Sequence, residues 1–506
     1  MPIEPKKLPY LAYNWLSSVG ASLAVVTVVT FLALWGAHFA FDGQMNPYFG
    51  IFLYMVLPPF LILGLLLIPI GMVRKWKRIQ KAGAAEADRW PVVDLNLRGH
   101  RTAFAIFFFG SILFLLLSAI GSYGGYHYSE SVSFCGETCH QVMEPEYTTY
   151  QNSPHARVAC AECHVGPGAD WFVRSKLSGA YQVYATLAHK YPRPIPTPIE
   201  SLRPAQVTCE QCHWPEKDYG SQQREFVHYQ FDETNSEWPI SMLIKTGGGD
   251  PKAGGEEGIH WHMNIGVEVE YIARDEQRRE IPWVKITDKR TGRQTVYQDA
   301  DDPLTTDEIA VASRRVMDCM DCHNRPSHIF RSPDTAIDEM IRVGRIDRGL
   351  PYVKTAAVRA MGEEYDSREQ ALEAIANQMT DFYLSEYPEA YAERRVAIDD
   401  AIVATQEAYA NNIFPTMRTD WADYPDNIGH MESIGCMRCH GGNHRSPEGR
   451  VLTAECEACH IILSQGSGES FEMAGAAPGL RFRHPEDIAE MWTEVGCYEC
   501  HQGSQP

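Results

Sequence analysis

Three stretches of nearly uncharged sequence stand at the start of the chain, roughly Val19 to Ala40, Gly50 to Val73 and Ala103 to Ser122. Each has about 20 residues, the length an α-helix needs to cross the hydrocarbon layer of a membrane. All three are expected to be spans. A cleaved signal peptide is the rival explanation of the first, but the stretch is long for a leader and lacks a clear small-residue cleavage site before the second begins. Basic residues set the orientation. Lys6 and Lys7 precede the first span, Arg74, Lys75, Lys77, Arg78 and Lys81 follow the second, and Arg98, His100 and Arg101 precede the third, so these flanks belong on the cytoplasmic side. The loop from Phe41 to Tyr48 carries no Lys or Arg and falls on the outer side, as does everything after Ser122.

Beyond the third span the periodicity changes twice. Between about Glu216 and Asp302 it turns toward strand: Val267, Val269 and Tyr271 alternate with polar residues, and Ile281 to Thr287 is joined by an Asp288 to Gly292 turn to Gln294 to Tyr297. A small β insertion is expected there. From about Thr305 the period is helical, through Tyr352 to Glu364, Arg368 to Leu384 and Tyr391 to Asn411. The last part, Trp421 to Pro506, has little regular periodicity and is expected to fold around something other than an apolar core.

Composition narrows the function classes. The chain has 506 residues, 44% of them hydrophobic, enough for two or three domains with their own cores. Its formal charge of -20 argues against a nucleic-acid partner, because phosphate binding needs clustered Lys and Arg.

The 14 cysteines decide the chemistry by their spacing. They fall into seven pairs, each followed at once by a histidine: Cys135 and Cys139 before His140, Cys160 and Cys163 before His164, Cys209 and Cys212 before His213, Cys319 and Cys322 before His323, Cys436 and Cys439 before His440, Cys456 and Cys459 before His460, and Cys497 and Cys500 before His501. No cysteine is left over. In this motif two thiols form thioethers to a porphyrin edge while the adjacent imidazole reaches the iron, so each set places one haem. Zinc or disulfide pairing has no need of the trailing histidine, which recurs at every pair. Seven covalently bound haem c groups are therefore expected. The first site, CGETCH, differs in having three residues between its cysteines.

A second axial ligand is needed at each iron. Met143, three residues after His140, is close enough for its thioether to serve the first. For the others the candidates are His155, His189, His328, His430 and His444, near motifs, and one of His260 and His262, which at strand spacing share a face. His228 and His484 stand in reserve, and His127 belongs to the membrane edge. No CxxCK variant occurs, so no altered proximal ligand marks an open, substrate-binding iron. Glu144 and Glu146, directly after Met143, are placed to accept protons near the first iron.

The run FCGETCHQVMEPEYTTYQNSPHARVACAECHVGPGADW at residues 134–171, with PTPIESLRPAQVTCEQCHWP at 196–215, resembles the NapC/NirT family of membrane-anchored cytochromes. GIHWHMNIG at 258–266, CMDCHNRPSHIFRSP at 319–333 and IGCMRCHGGNH at 434–444 are similar to its larger, many-haem members. The resemblance implies oxidation of quinol, menaquinol by expectation, beside the first haem, and relay to a periplasmic cytochrome or reductase. It also matches Met143 to the family's Met ligand, and makes Asp170, Arg174 and Lys176 the candidates for the family's acidic and basic quinol-site residues. Here the chain departs from the short members by an N-terminal helical hairpin, a β insertion and a three-haem tail. The hairpin is expected either to deepen the quinol site or to dock another membrane subunit.

The expected architecture is mainly α, with three transmembrane helices and an extracytoplasmic multihaem domain carrying a small β insertion. Its parts are a membrane anchor at 1–128 (spans at about 19–40, 50–73 and 103–122), a three-haem region at 129–215, the β-rich insertion at 216–302, a helical region with the fourth haem at 303–420 and a three-haem region at 421–506. The leading function is a cytoplasmic-membrane quinol dehydrogenase with its haems on the periplasmic side. The alternatives are a terminal reductase of nitrogen or sulfur oxyanions, which needs a five-coordinate iron, and a wiring subunit of a larger respiratory complex that never meets quinol.

Overall fold

The structure is a computed structural model that describes residues 9–40, 56–81, 94–137, 140–166, 168–199, 202–214, 220–248, 258–475 and 478–504. Lys6, Lys7 and the loop Phe41 to Tyr48 fall outside the described residues, as does the beginning of the second expected span. The chain divides into two compact units, residues 1–140 and 141–506.

In the first unit, α1 (Trp15–Ala40) packs along α2 (Leu57–Lys81). The first, and the second as far as Val73, are apolar all round, so packing contacts rather than amphipathicity must hold them together. The seam uses small residues: a Cβ added to Gly64 would lie 2.8 Å from Ala24 N and from Gly20 O. Ser17 Oγ donates to Ile68 O at 2.8 Å across the same seam. The outward faces expose Val25, Val26, Val29 and Leu32 on α1 and Phe60, Ile62, Leu66 and Ile70 on α2, a surface suited to lipid.

Among the described residues two helices, not three, are long and apolar enough to cross a membrane: Trp15–Leu34 and Leu57–Lys81. The third expected span, 103–122, lies inside one helix, α3 (Arg98–Ser129), and several of its side chains between 103 and 118 are outside the described residues. At 1.5 Å per residue its 32 residues reach about 48 Å, longer than the bilayer core.

The second unit begins with α4 (His140–Gln151), which starts at the last residue of the first, and α5 (Ala169–Leu187). Its apolar core lies in four helices: α6 (Pro333–Arg342), α7 (Val353–Gly362), α8 (Arg368–Glu386) and α9 (Arg395–Asn412). Ser332 and Ser367 cap α6 and α8 by accepting from the Thr335 and Gln370 amides. Ile337, Val353, Ala357, Ile375, Met379, Ile398 and Ala401 are wholly buried among them. Lys354 is buried there too, which its ion pairs with Asp334 (2.5 Å) and Asp338 (2.7 Å) make tolerable.

Two antiparallel sheets complete the unit. One has the order β1-β2-β8-β9, formed by β1 (Ser221–Tyr229), β2 (Glu237–Lys245), β8 (His460–Gln465) and β9 (Glu472–Met473). The other has the order β6-β3-β4-β5-β7, formed by β3 (Val267–Ile272), β4 (Trp283–Asp288), β5 (Gln294–Asp299), β6 (Arg315–Val316) and β7 (His444–Arg445). Alternation fixes the second sheet's register. Val269 and Tyr271 point into an apolar cluster, while Glu268 and Glu270 face outward to pair with Lys289 and Lys285 across β4.

The last region is more than a wrapping for cofactors. Its strands β7 and β8 each complete a sheet, and Ile462 on β8 joins Trp238 and Ile240 in an apolar cluster. The β structure is therefore larger than the 216–302 insertion, because strands from 421–506 are part of both sheets.

Candidate imidazole-pair sites

Each described motif is a single turn. Cys160–His164, Cys319–Cys322 and Cys497–Cys500 are short helices, and Ala205–Cys209 leads directly into the third motif. Within four of them the histidine amide donates to the carbonyl of the first cysteine: His213 to Cys209 at 2.8 Å, His323 to Cys319 at 2.8 Å, His440 to Cys436 at 3.1 Å and His501 to Cys497 at 2.8 Å. A turn of that kind sets residues i and i+3 on one side, so both thiols face the same way with the imidazole beside them.

Six motif imidazoles each face one further imidazole. The ring centres are 6.4 Å apart for His164 and His328, 6.1 Å for His213 and His155, 6.4 Å for His323 and His260, 5.8 Å for His440 and His262, 6.2 Å for His460 and His430, and 6.1 Å for His501 and His484. A ligating imidazole nitrogen sits about 2.0 Å from its metal and the ring centre about 1.1 Å beyond, so two rings sharing one ion stand about 6.2 Å apart. The six distances fit an iron between each pair. Two directly stacked rings would be closer. Among the described residues no three His, Cys, Asp or Glu side chains converge as a metal cage, and none of the described cysteines is in a disulfide.

The second ring nitrogen is held as well. Nδ1 lies near a backbone carbonyl in His155 (Pro326 O, 3.0 Å), His260 (Thr246 O, 2.7 Å), His262 (Ile259 O, 2.8 Å), His328 (Glu146 O, 2.9 Å) and His440 (Thr453 O, 2.7 Å). A carbonyl can only accept, so the proton resides on Nδ1 and Nε2 keeps its lone pair for a metal. Burial favours the same neutral form, pushing His164 and His328 down to about 4 and lowering His262, His323, His430, His460 and His501.

The sulfurs line up in motif order. Cys163 feels the charge of Cys212, Cys209 shares a hydrogen bond with Cys319, Cys322 and Cys459 both feel Cys436, and Cys497 feels Cys456. In a haem-loaded chain these sulfurs are thioethers, so their sequence traces the porphyrin edges from the second motif to the seventh. The histidine pairs tie neighbours together too. His260 and His262 sit two residues apart yet face the fourth and fifth motifs, and His328, five residues past His323 of the fourth motif, faces the second.

Several expectations change on this geometry. His260 and His262 lie on the 3-10 turn Ile259–Met263 rather than on a strand, and at three residues per turn positions two apart diverge instead of sharing a face, so each faces a different motif imidazole. His444 is buried, with Nε2 2.7 Å from Ile281 O, and pins β7 rather than facing a motif. His189 is exposed, at a left-handed φ of 50°, and belongs to none of the six pairs. His484 takes the seventh place. Its signal in the sequence was only that it is the nearest uncommitted histidine before the last motif.

The first site is less fully described. Cys139 and the side chains of His140 and Asp170 fall outside the described residues. Met143 and Glu144 lie on α4, where Glu144 pairs with Arg368 at 2.6 Å. Glu146 is buried near Arg325, with its carboxylate 3.8 Å from the His328 ring, and burial raises its pKa. That places Glu146 behind the imidazole that faces His164. Lys176 and Arg174, on α5, lie over the rings of Phe172 and Trp171.

Residues 98–195 match the model of the NapC/NirT cytochrome c family, N-terminal region. Over 495 residues the chain is 44% identical to the cytochrome c-type protein ImcH of Geobacter sulfurreducens, a match covering 97% of this chain and 96% of that protein. No solved structure matches.

Proposed function

The chain belongs to the NapC/NirT cytochrome c family, and from that premise we propose that it is a seven-haem carrier that takes electrons from menaquinol in the cytoplasmic membrane and delivers them to a periplasmic cytochrome or reductase. Covalent haem c follows from the family. The number seven follows from the motif count, and the observation that carries the reading is the set of six imidazole pairs, each beside its own pair of thiols.

Haem held by such sites would supply one-electron exchange. The chain's residues do the rest. His164 with His328, His213 with His155, His323 with His260, His440 with His262, His460 with His430 and His501 with His484 would hold the haems of the second to seventh sites, and backbone carbonyls fix the tautomer of His155, His260, His262 and His328. At the first site Cys135, Cys139 and His140 attach the group and Met143 is its second ligand. Quinol is bound and deprotonated there by Lys176, Asp170 and Glu144, while the buried Glu146 supports His328. The positive-inside bias of the flanks puts the first unit across the membrane with the haem sites on the periplasmic side.

A terminal reductase needs an iron with a free position, and the six pairs leave none at the second to seventh sites. A wiring subunit differs in never meeting quinol, so kinetics decides between it and the proposal. Stopped-flow mixing of the detergent-solubilised chain with a menaquinol analogue should reduce the haems directly, and Met143→Ala should slow that reduction several-fold. A parent that the quinol analogue does not reduce, or a variant as fast as the parent, contradicts the proposal.

A further inference from the structure

The fourth and fifth motifs, CMDCH and CMRCH, carry opposite charges at the same position, just before the second cysteine: Asp321 in one and Arg438 in the other. Both are buried, Asp321 at 3% and Arg438 at 9% exposure. They do not form an ion pair with each other. Arg438 instead spends its guanidinium on three backbone carbonyls: Nε donates to Gly435 O at 2.8 Å in its own motif's lead-in, Nη2 to Asp321 O at 2.6 Å in the fourth motif and Nη1 to Arg278 O at 3.0 Å. Arg278 holds its carbonyl there at a left-handed φ of 60°.

The Asp321 carboxylate is taken up from other directions. It accepts from Tyr271 Oη at 2.6 Å, Arg278 Nη1 at 3.0 Å and Arg315 Nε at 2.9 Å, and Arg315 is also paired with Asp318 at 2.8 Å. Two guanidinium groups, Arg278 and Arg315, therefore meet two carboxylates, Asp318 and Asp321, and among the described residues no carboxylate is left to pair with Arg438. Its positive charge is felt by both Cys322 and Cys439, the second sulfurs of the two motifs, more strongly than the opposing charge of Asp321.

A buried, uncompensated cation acts on a redox centre in one direction. The oxidised iron carries one more positive charge than the reduced iron, so a nearby cation disfavours the oxidised state, and a low-dielectric interior screens little of that effect. We propose that Arg438 is a positioning residue that locks the fourth and fifth haem sites to each other and raises their reduction potentials, making this pair the place where electrons rest in transit. The proposal rests on the seven-haem reading of the chain and names the part of it that Arg438 controls.

The test uses the full chain in detergent with Arg438→Gln and Arg438→Lys. Each variant is examined for haem content by intact mass, for midpoint potentials by optical redox titration, and for spin coupling between neighbouring irons by electron paramagnetic resonance. The glutamine variant should keep seven haems and move two of the redox steps to lower potential, leaving the others in place. The lysine variant, which keeps the charge but loses the three-way fork, should hold those two potentials near the parent's while altering the coupling. A glutamine titration that superimposes on the parent's overturns the proposal, as does a uniform shift of every step. If both variants load fewer than seven haems, Arg438 is only a folding residue and the proposal falls. The parent's own haem count and its reduction by menaquinol are measured alongside, so a failure of the electron-transfer reading is seen there first.

Discussion

A neutral imidazole binds metal through one nitrogen, and the partner of the other nitrogen sets which one. That is why the carbonyls of Thr246 and Ile259 matter: they hold Nδ1 of His260 and His262 and so keep the ring proton on that nitrogen. Replacing either histidine with alanine should convert one low-spin site to five-coordinate, detected as one equivalent of carbon monoxide bound per reduced chain, and the double variant should bind two. His444→Ala should add none, because that ring holds Ile281 O. The interplanar angles differ as well. His440 and His262 stand at 83°, whereas His323 and His260 stand at 22°. Near-perpendicular rings leave the iron orbitals close to degenerate, so the fifth site should give a more anisotropic low-spin resonance than the fourth, and His262→Ala should remove it. The motif histidines could be read from the sequence because a local turn places them. Their partners could not, since they arrive from residues 155, 260, 262, 328, 430 and 484, and only the tertiary fold decides which face which.

Helices and strands divide the work between apolar packing and site building. Helices α6 to α9 form a core whose period was plain in the sequence: the stretch expected from Arg368 to Leu384 is the helix Arg368–Glu386, and that expected from Tyr391 to Asn411 overlaps the helix Arg395–Asn412. Ile375→Ala should cost about 2 to 5 kcal/mol of stability, read from the shift of a denaturant midpoint, while leaving the haem count unchanged. The hairpin β4–β5 was equally legible, because Asp288 turns the chain by accepting from the Arg290 and Thr291 amides and Gly292 supplies a φ of 72°. Strand β8 was not legible. Its HIILSQ run starts on a motif histidine and is too short for alternation to show, and its partner β2 lies more than 200 residues earlier. In the first unit Gly64→Ile should drive α1 from α2, since even a Cβ there meets the Ala24 backbone at 2.8 Å. Overpacking of this kind costs about 1 to 3 kcal/mol and should appear as a lower melting temperature in detergent.

At the scale of the whole molecule, the arrangement of sites explains why a chain with so little regular structure in its last region still has a defined fold. Sheets that join residues 221–245 to 460–465 and 294–299 to 444–445 bring distant motifs together, and the thiols then follow one another from the second motif to the seventh. Removing the cofactor should therefore remove more than activity. A chain made without haem attachment lacks the groups that fill the spaces between six imidazole pairs, and it should be far more sensitive to proteolysis across 421–504 than across the apolar core of α6 to α9. The most direct test of the account is near-infrared magnetic circular dichroism of the oxidised protein, normalised to its haem content. Six of seven haems should carry the bis-imidazole charge-transfer band, with the first haem alone outside that class. Fewer than six bis-imidazole haems, or a high-spin iron among the second to seventh sites, would contradict it.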